Sequence, residues 1–317
     1  MLMGHYENRN GGFWLGFFLY TVLARYVEIL KGRGNITLSD TYQEWAHRLR
    51  KNLNEEGWDG HWFLRAFYDD GTPLGSERNH ECRIDAIAQS WSVLSGAGER
   101  DKSQEAMDNL VRFLYDPESK ILKLLDPPFN DLSKKNPGYI KDYPPGIREN
   151  GSQYNHAVFW AAEACARLGN ADMVHALLEC ANPIHRSDSE GKARLYEVEP
   201  YVIAADIYSA EHRGKGGWTW YTASAGLMYR MIIETLFGVR IEGERVSFQP
   251  SLPKDWTACS LTLPWKSGTY TFAFLAPENH ANTIKQVALD GVVLENGAQP
   301  HQLPEDGQTH RFEISLE

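Results

Sequence analysis

The sequence predicts a mainly α protein with a β module at its C-terminal end. Through the first two thirds of the 317 residues, apolar side chains recur at helical spacing in segments joined by short or glycine-rich turns. From about Gly238 onward they alternate with a period of two, which is typical of strands. Paired helices followed by strands indicate an α-helical toroid and an antiparallel β-sandwich-like domain. We therefore predict two domains, residues 1–238 and 239–317.

The helical part opens with an apolar run, Phe13–Lys31, which predicts a buried helix that stops at Gly32. Ser39 or Asp40 offers a cap for a second helix. Six further helices are predicted in "RIDAIAQSWSVLSGAG", "RDKSQEAMDNLVRFLYD", "NHAVFWAAEACARLGN", "ADMVHALLECANP", "EPYVIAADIYS" and "WTWYTASAGLMYRMIIETLFG". In the β part, "EGE", "KSG" and "LDG" are hairpin signals between alternating segments.

Composition and charge exclude several classes of partner. The formal net charge of -10 argues against nucleic acid and against an anionic membrane. The four cysteines stand apart from one another, which favours reduced thiols in the cytoplasm, where we expect the protein. No charged-then-apolar signal segment opens the chain, and we expect no apolar run of membrane-spanning length. Aromatic residues make up 12% of the chain, which suits either carbohydrate contact or a large core.

Two polar loops are too long for simple connectors, residues 57–82 and 126–154. The second ends in "YPPGIRENGSQYNHA" and leads into an apolar helix start. Its polar residues suit an anion and polyol site, because an arginine fork binds phosphate or sugar oxygens and a helix start favours an anion. The candidates are Arg148, Glu149, Asn150, Gln153, Tyr154 and His156. The alternative is a capped helix with a satisfied core histidine.

A glycine-rich segment, "RGKGGWTWYTASAG", also precedes a predicted helix. Glycines permit close backbone approach, and Thr222 and Ser224 are short donors at the helix entry, so the segment suits a phosphate. It lacks the order of a P-loop, which argues against a nucleotide. The alternative is a glycine-rich turn into a core helix.

Carboxylates and histidines elsewhere give weaker signals. Asp69, Asp70, Glu81 and Asp85 lie in or just after the first loop and would suit a glycosidase pair, although "DDG" is also an ordinary turn. Glu197 and Glu199 of "EVEPY" suit a helix start. The histidines lack the spacing of metal ligands, so no metal site is predicted.

Several longer strings resemble a known family. They are "WLGFFLY", "WDGHWFLRAFYDDGTPLGS", "ECRIDAIAQSWSVLSGAG", "NPGYIKDYPPGIRENGSQYNHAVFWA", "EVEPYVIAADIYS" and "GGWTWYTASAGLMYR". Together they are similar to glycoside hydrolase family 94, the inverting glycoside phosphorylases. Within this family, the sequences of these segments are most similar to the β-1,2-glucan branch, which contains 1,2-β-oligoglucan phosphorylase and the C-terminal region of cyclic β-1,2-glucan synthase.

The resemblance implies the C-terminal part of an (α/α)6 barrel followed by a β domain. It also implies reversible phosphorolysis of a β-glucan oligosaccharide to α-glucose 1-phosphate, with inorganic phosphate as co-substrate and no other cofactor. Phosphate is itself a nucleophile, so this chemistry needs one carboxylic acid rather than the two of an inverting hydrolase.

The resemblance assigns roles residue by residue. His156 of "QYNH" resembles the phosphate-binding histidine of the family, and Thr222 and Ser224 of "WYTASAG" match its phosphate loop. Ala223 stands where the family often has glycine. Sugar contacts are implied for Tyr143, Arg148, Glu149, Gln153, Tyr154, Arg83 and Asp85.

The chain departs from the family at its start. The family's general acid lies in an Asp-Trp-Asn-Asp segment, which is absent here; Met1 stands near that point, and Glu7 is the carboxylate close by. We therefore expect the isolated chain to be inactive and to need a complementing N-terminal half or a homodimer. The alternatives are a non-catalytic carbohydrate-binding remnant and an α/α-barrel inverting hydrolase that uses the carboxylates of residues 69–85.

Overall fold

A computed structural model describes residues 12–130, 135–295 and 300–317. The expectations for Met1 and Glu7 lie outside these residues. The described helices are α1 (Phe13–Gly32), α2 (Ile36–Glu56), α3 (Ala86–Leu94), α4 (Arg100–Leu114), α5 (Asn155–Arg167), α6 (Ala171–Ala181), α7 (Pro183–Ser187), α8 (Glu190–Tyr196) and α9 (Thr222–Arg230). A π-helical turn, Met231–Leu236, continues α9, and a 3-10 turn covers Tyr139–Asp142.

The long helices form a row of pairs. α1 packs on α2, α3 on α4 and α5 on α6, while α1, α3, α5 and α9 contact one another in that order. One buried core of mainly leucine, phenylalanine and alanine side chains runs through the pairs and continues into the β part. The α-rich part followed by a β module is confirmed. Closure of the helices into a six-pair ring stays a prediction.

The second helix begins earlier than its sequence suggests. It starts at Ile36, because Asn35 Oδ1 accepts a hydrogen bond from the Leu38 N–H. Ser39 lies inside the helix, where its buried hydroxyl donates to the carbonyl of Val27 at 3.4 Å. The serine therefore ties α2 to α1 instead of capping it.

The helix expected in "EPYVIAADIYS" does not form. Residues 201–205 run through turn and extended backbone into a short strand, Asp206–Ile207, and four successive apolar side chains are buried: Val202, Ile203, Ala204 and Ala205. A short apolar run that is buried on every side has no periodicity, so its sequence does not distinguish a helix from an extended segment.

Helix α1 overturns the expectation that no apolar run is long enough to span a membrane. It passes that test by length and composition alone, with a mean hydropathy of 1.4 over its best window, of which 22% is buried. Core helices and signal sequences have the same properties, so this finding decides nothing further about the helix.

One face of α1 is uncovered. Phe13 and Phe17 are buried in the core, whereas Phe18 is 44% exposed. The uncovered apolar strip consists of Leu15, Phe18, Val22, Tyr26 and Ile29, which recur at helical spacing. Such a contiguous apolar strip favours association.

We expect the chain to self-associate through this strip. Replacing Val22 and Ile29 together by glutamate should raise the dissociation constant of the associated species by at least about tenfold, given roughly 1.5–3 kcal/mol per buried aliphatic side chain. Sedimentation over a concentration series measures it. Ile184→Glu, at an exposed apolar side chain on α7, is the matched control. A wild-type chain that stays monomeric at every concentration would contradict the prediction.

In the described part of the chain, eight two-residue strands pair up among the helices, and eight further strands of two to eight residues follow the last helix. The short ones are β1 (Ala66–Phe67), β2 (Pro73–Leu74), β3 (Ile84–Asp85), β4 (Tyr115–Asp116), β5 (Ile121–Leu122), β6 (Leu125–Asp126), β7 (Gln153–Tyr154) and β8 (Asp206–Ile207). The C-terminal ones are β9 (Val239–Glu242), β10 (Arg245–Phe248), β11 (Ala258–Trp265), β12 (Gly268–Leu275), β13 (Ile284–Leu289), β14 (Val292–Val293), β15 (His301–Gln302) and β16 (Thr309–Leu316).

The C-terminal strands form two sheets, in the orders β15-β10-β9 and β11-β12-β16-β13-β14. The three hairpin signals lie where the sequence predicts, between β9 and β10, β11 and β12, and β13 and β14. Asp290 and Gly291 adopt positive φ angles of 50° and 83° in the last of these turns.

The module is not wholly antiparallel, because β12 and β16 pair in parallel. The last strand enters the sheet through a long connection rather than through a hairpin, and a long connection permits either direction.

Candidate active site

The polar run that ends the second loop is held from inside by Asn150. This residue is fully buried, and its Nδ2 donates to the carbonyls of Phe129 (2.9 Å) and Tyr143 (2.7 Å). Its Oδ1 accepts the Phe129 N–H at 2.7 Å. One amide therefore joins the beginning of the loop to its end. The structure gives Asn150 this bracing role within the anion and polyol site proposed from the sequence.

Arg148 stands at the centre of the run in a cage of aromatic rings. Its guanidinium carbon lies 5.9, 5.3 and 5.8 Å from the ring centroids of Tyr143, Trp218 and Tyr221. The backbone of Arg148 is left-handed, with φ at 52°. Its Nη1 is buried with no hydrogen-bond partner among the described residues. A buried guanidinium N–H without a partner suits an oxygen-rich ligand.

Asp206 fixes the backbone of that arginine. It is fully buried on β8, and its Oδ2 accepts the Arg148 N–H at 2.8 Å. Burial raises the pKa of this carboxyl, and the hydrogen bond from Arg148 opposes the rise. A Cβ at Gly217 would lie 2.2 Å from Asp206 Oδ1, so only glycine fits there. Asp206 was not among the site residues predicted from the sequence; the signal was one carboxylate within a buried apolar run.

Two helix starts meet beside this loop. The extended segment before β8 joins them, since the Asn155 N–H donates to Ala205 O at 2.9 Å and the Ala205 N–H donates to Trp218 O at 2.5 Å. The Tyr221 N–H donates to Ile203 O at 3.3 Å. These bonds hold the first residues of α5 and α9 together, and the two helices contact each other. Adjacent helix N-termini present free N–H groups to one place, which favours an anion.

The three predicted phosphate-binding residues lie at these helix starts. His156 is in the first turn of α5, partly buried, with its ring 4.4 Å from that of Trp160. Burial lowers the pKa of His156, which favours the neutral imidazole. Thr222 begins α9 and is exposed, while Ser224 is buried with no hydrogen-bond partner for its Oγ among the described residues. The structure thus brings His156, Thr222 and Ser224 into one region.

Four of the predicted sugar contacts gather around the arginine cage. Tyr143 contributes a ring to the cage itself. Glu149 Oε2 is buried with no hydrogen-bond partner among the described residues. Tyr154 is partly buried near Tyr221, and burial raises the pKa of its phenol well above the usual range. With Arg148, these side chains offer both donors and acceptors.

Gln153 is placed differently. It is fully buried, its Nε2 donates to Asn155 Oδ1 and Cys180 O, and its Oε1 accepts the Leu122 N–H. No exposed atom of Gln153 is left for a sugar. Its role in this structure is to hold β7 to its neighbours.

The residues of "ECRID" also serve the scaffold. Asp85 is buried and caps α3, with Oδ1 accepting the N–H groups of Ile87 and Ala88 at 3.0 and 3.1 Å, and Oδ2 paired with Arg65. Arg83 is partly buried, and its Nε has no hydrogen-bond partner among the described residues. A sugar contact of Arg83 or Asp85 stays a prediction.

Asp70, Glu81 and Asp85 each have a separate partner in the structure. Asp70 makes the turn between β1 and β2 and binds Lys135 at 2.6 Å, whereas Glu81 is buried and accepts the Asn130 N–H at 2.6 Å. The turn interpretation of "DDG" fits this geometry. Within residues 12–130, 135–295 and 300–317, no group of three His, Cys, Asp or Glu side chains could hold a metal ion.

Comparison with known proteins decides the family. The family described as "Glycosyl hydrolase 94 superfamily, catalytic domain" matches residues 6–238, which is more than half of the chain. The chain belongs to the glycosyl hydrolase 94 superfamily. The sequence resemblance to glycoside hydrolase family 94 is thereby confirmed.

Three relatives show where the similarity lies within the superfamily. Cyclic beta-(1,2)-glucan synthase NdvB of Rhizobium meliloti (strain 1021) is 44% identical over 248 residues, 78% of this chain and 9% of that protein. N,N'-diacetylchitobiose phosphorylase of Vibrio proteolyticus is 26% identical, over 93% of this chain and 36% of that protein. 1,2-beta-oligoglucan phosphorylase of Listeria innocua serovar 6a (strain ATCC BAA-680 / CLIP 11262) is 28% identical, over 34% of this chain and 11% of that protein.

The chain therefore spans little more than a third of the chitobiose phosphorylase and less than a tenth of the glucan synthase.

Proposed function

We propose that this chain supplies the phosphate-binding and sugar-binding wall of an inverting glycoside phosphorylase that acts on β-1,2-linked glucans. The observation that carries the proposal is the meeting of the α5 and α9 starts, with His156, Thr222 and Ser224, beside the caged Arg148. The names of NdvB and of the Listeria phosphorylase favour the β-1,2 linkage.

In this reaction a phosphate oxygen forms a bond to the anomeric carbon while the glycosidic carbon–oxygen bond breaks on the opposite face. The helix N–H groups and the hydroxyls of Thr222 and Ser224 hold the phosphate oxygens, and His156 donates to one of them. Arg148 and Glu149 orient the leaving sugar through its hydroxyl groups. The leaving oxygen takes a proton from a carboxylic acid, and the product is α-glucose 1-phosphate.

We assign that acid to none of the described carboxylates. Asp206 is fully buried and holds a backbone N–H, Asp85 caps a helix, and Glu81 holds a loop. Glu149 directly follows the caged Arg148, and in this proposal it binds the leaving sugar. We therefore propose that the acid is supplied from outside the described residues, by another segment of the protein or by a second copy.

The proposal is tested by phosphate binding and by product formation. The folded chain should bind inorganic phosphate, and the complex should form α-glucose 1-phosphate from linear β-1,2-glucooligosaccharides once the N-terminal portion of a superfamily member is added. Calorimetry measures the binding, and an enzymatic assay measures the sugar phosphate. A folded chain that binds sugar but no phosphate would overturn the proposal in favour of a carbohydrate-binding role. Release of reducing sugar without phosphate would overturn it in favour of a hydrolase.

A further inference from the structure

Large aromatic side chains are exposed on the segments that join α5 to α9. Tyr201, Trp218 and Trp220 are 74%, 68% and 64% exposed. Each flanks a backbone hydrogen bond that joins the two helix starts, between Ala205 and Trp218 or between Ile203 and Tyr221. Tryptophan is normally well buried, so two indoles exposed within three residues call for a ligand.

The exposed rings follow the arginine cage along the chain. Trp218 is part of the cage, with its ring 5.3 Å from the Arg148 guanidinium carbon. Trp220 lies two residues further along the chain and meets Tyr201 edge to face, with ring centroids 6.2 Å apart. The Tyr201–Trp220 pair therefore follows two residues after a ring that belongs to the sugar-binding wall.

The orientation of Trp220 is fixed by its own backbone and by a carboxylate. Its φ of 59° lies in the left-handed region, which is unusual for a bulky side chain and is kept where the surroundings impose it. Its indole N–H donates to Glu199 Oε1 at 3.1 Å. Glu199 is partly exposed, so its second carboxylate oxygen can accept a hydrogen bond from a ligand.

We infer that Tyr201, Trp218, Trp220 and Glu199 form an aromatic platform that binds glucose units of the oligosaccharide beyond the two that flank the broken bond. The apolar C–H face of a pyranose ring packs on an aromatic ring, and its equatorial hydroxyls bond to a neighbouring carboxylate. A string of aromatic rings beside one acidic side chain therefore suits a neutral sugar chain. This inference rests on the proposed function and adds that the site selects substrates longer than a disaccharide.

The test compares affinities for a β-1,2-linked disaccharide and for longer linear oligosaccharides of the same linkage. With the wild-type chain, affinity should rise with length. Trp220→Ala should weaken binding of the longer oligosaccharides by about three- to tenfold, given roughly 0.5–1.5 kcal/mol for an aromatic contact, and should leave disaccharide binding unchanged. Trp220→Phe, which keeps a ring but removes the N–H to Glu199, should recover part of the loss.

Tyr229→Ala is the matched control, because Tyr229 is 62% exposed on α9 and lies outside the platform. It should bind every oligosaccharide as the wild type does. Equal affinity for short and long sugars in the wild type would overturn the platform while leaving the proposed function intact. Phosphate binding without any sugar binding would overturn the platform and the sugar half of the proposed function together.

Discussion

Replacement of His156 by alanine is expected to weaken phosphate binding by roughly ten- to a hundredfold, because a hydrogen bond to a charged group contributes about 1.5–3 kcal/mol. The effect is large because the imidazole is partly buried at the first turn of α5, where water replaces it poorly. Calorimetric titration with inorganic phosphate measures the change. His185→Ala, at an exposed histidine on α7, is the matched control and should bind phosphate normally.

The same histidine makes stability depend on pH. Burial lowers the pKa of His156 below its ordinary value of 6.5, so the unfolded chain takes up a proton before the folded chain does. Without phosphate, this residue therefore lowers the free energy of unfolding as pH falls below about 6.5, and it has no such effect at higher pH. A bound anion favours the imidazolium and should reduce this loss of stability.

Identical phosphate affinity in wild type and His156→Ala would rule out phosphate binding by His156.

The second large effect is expected at Asn150. Alanine there leaves the N–H and carbonyl of Phe129 and the carbonyl of Tyr143 without their partner. A buried polar group without a partner costs about 1–3 kcal/mol, so the free energy of unfolding should fall by at least about 2 kcal/mol. Denaturant unfolding measures it. Sugar binding should weaken as well, since the amide holds the loop that carries Arg148.

Aspartate at the same position separates geometry from hydrogen bonding. Asn150→Asp keeps the acceptor for the Phe129 N–H but turns a carboxylate oxygen toward two carbonyl oxygens, so it should destabilise the fold at least as much as alanine. Asn136→Ala, at an exposed residue of the same loop, should change stability by no more than about 0.5 kcal/mol. Asn150 variants as stable as the wild type would show that the loop is held by other contacts.

The phosphate-binding residues of the candidate site could be predicted from residue types. A histidine after a polar loop, and short hydroxyl residues after a glycine-rich segment, each precede an apolar helical pattern, and helix starts attract anions whatever the rest of the fold. The sequence did not show that the starts of α5 and α9, at His156 and Thr222 and 66 residues apart, lie next to each other. The extended segment before β8 joins them, and its pattern predicted a helix instead.

The sugar-binding residues were harder to predict from the sequence, because polar side chains in one run can point into the protein or toward a ligand. Gln153 and Arg148 lie in the same polar run. Both polar side-chain atoms of Gln153 form hydrogen bonds within the protein, whereas Nη1 of Arg148 is buried without a partner among the described residues. Asp206 acts on the site through a backbone N–H that lies 58 residues away in sequence, a pairing that no local pattern encodes.

The sequence by itself determined the family, the order of long helices followed by C-terminal strands, and the residue types that suit phosphate and sugar. These depend on periodicity and on chemistry that is local to each segment. Tertiary structure alone decided which polar side chains form hydrogen bonds within the protein and which have polar atoms available to a ligand. It also decided that β12 and β16 run in parallel and that the exposed Trp218 contributes a ring to the arginine cage. The physical reason is that burial and hydrogen-bond partners are properties of contacts between distant segments.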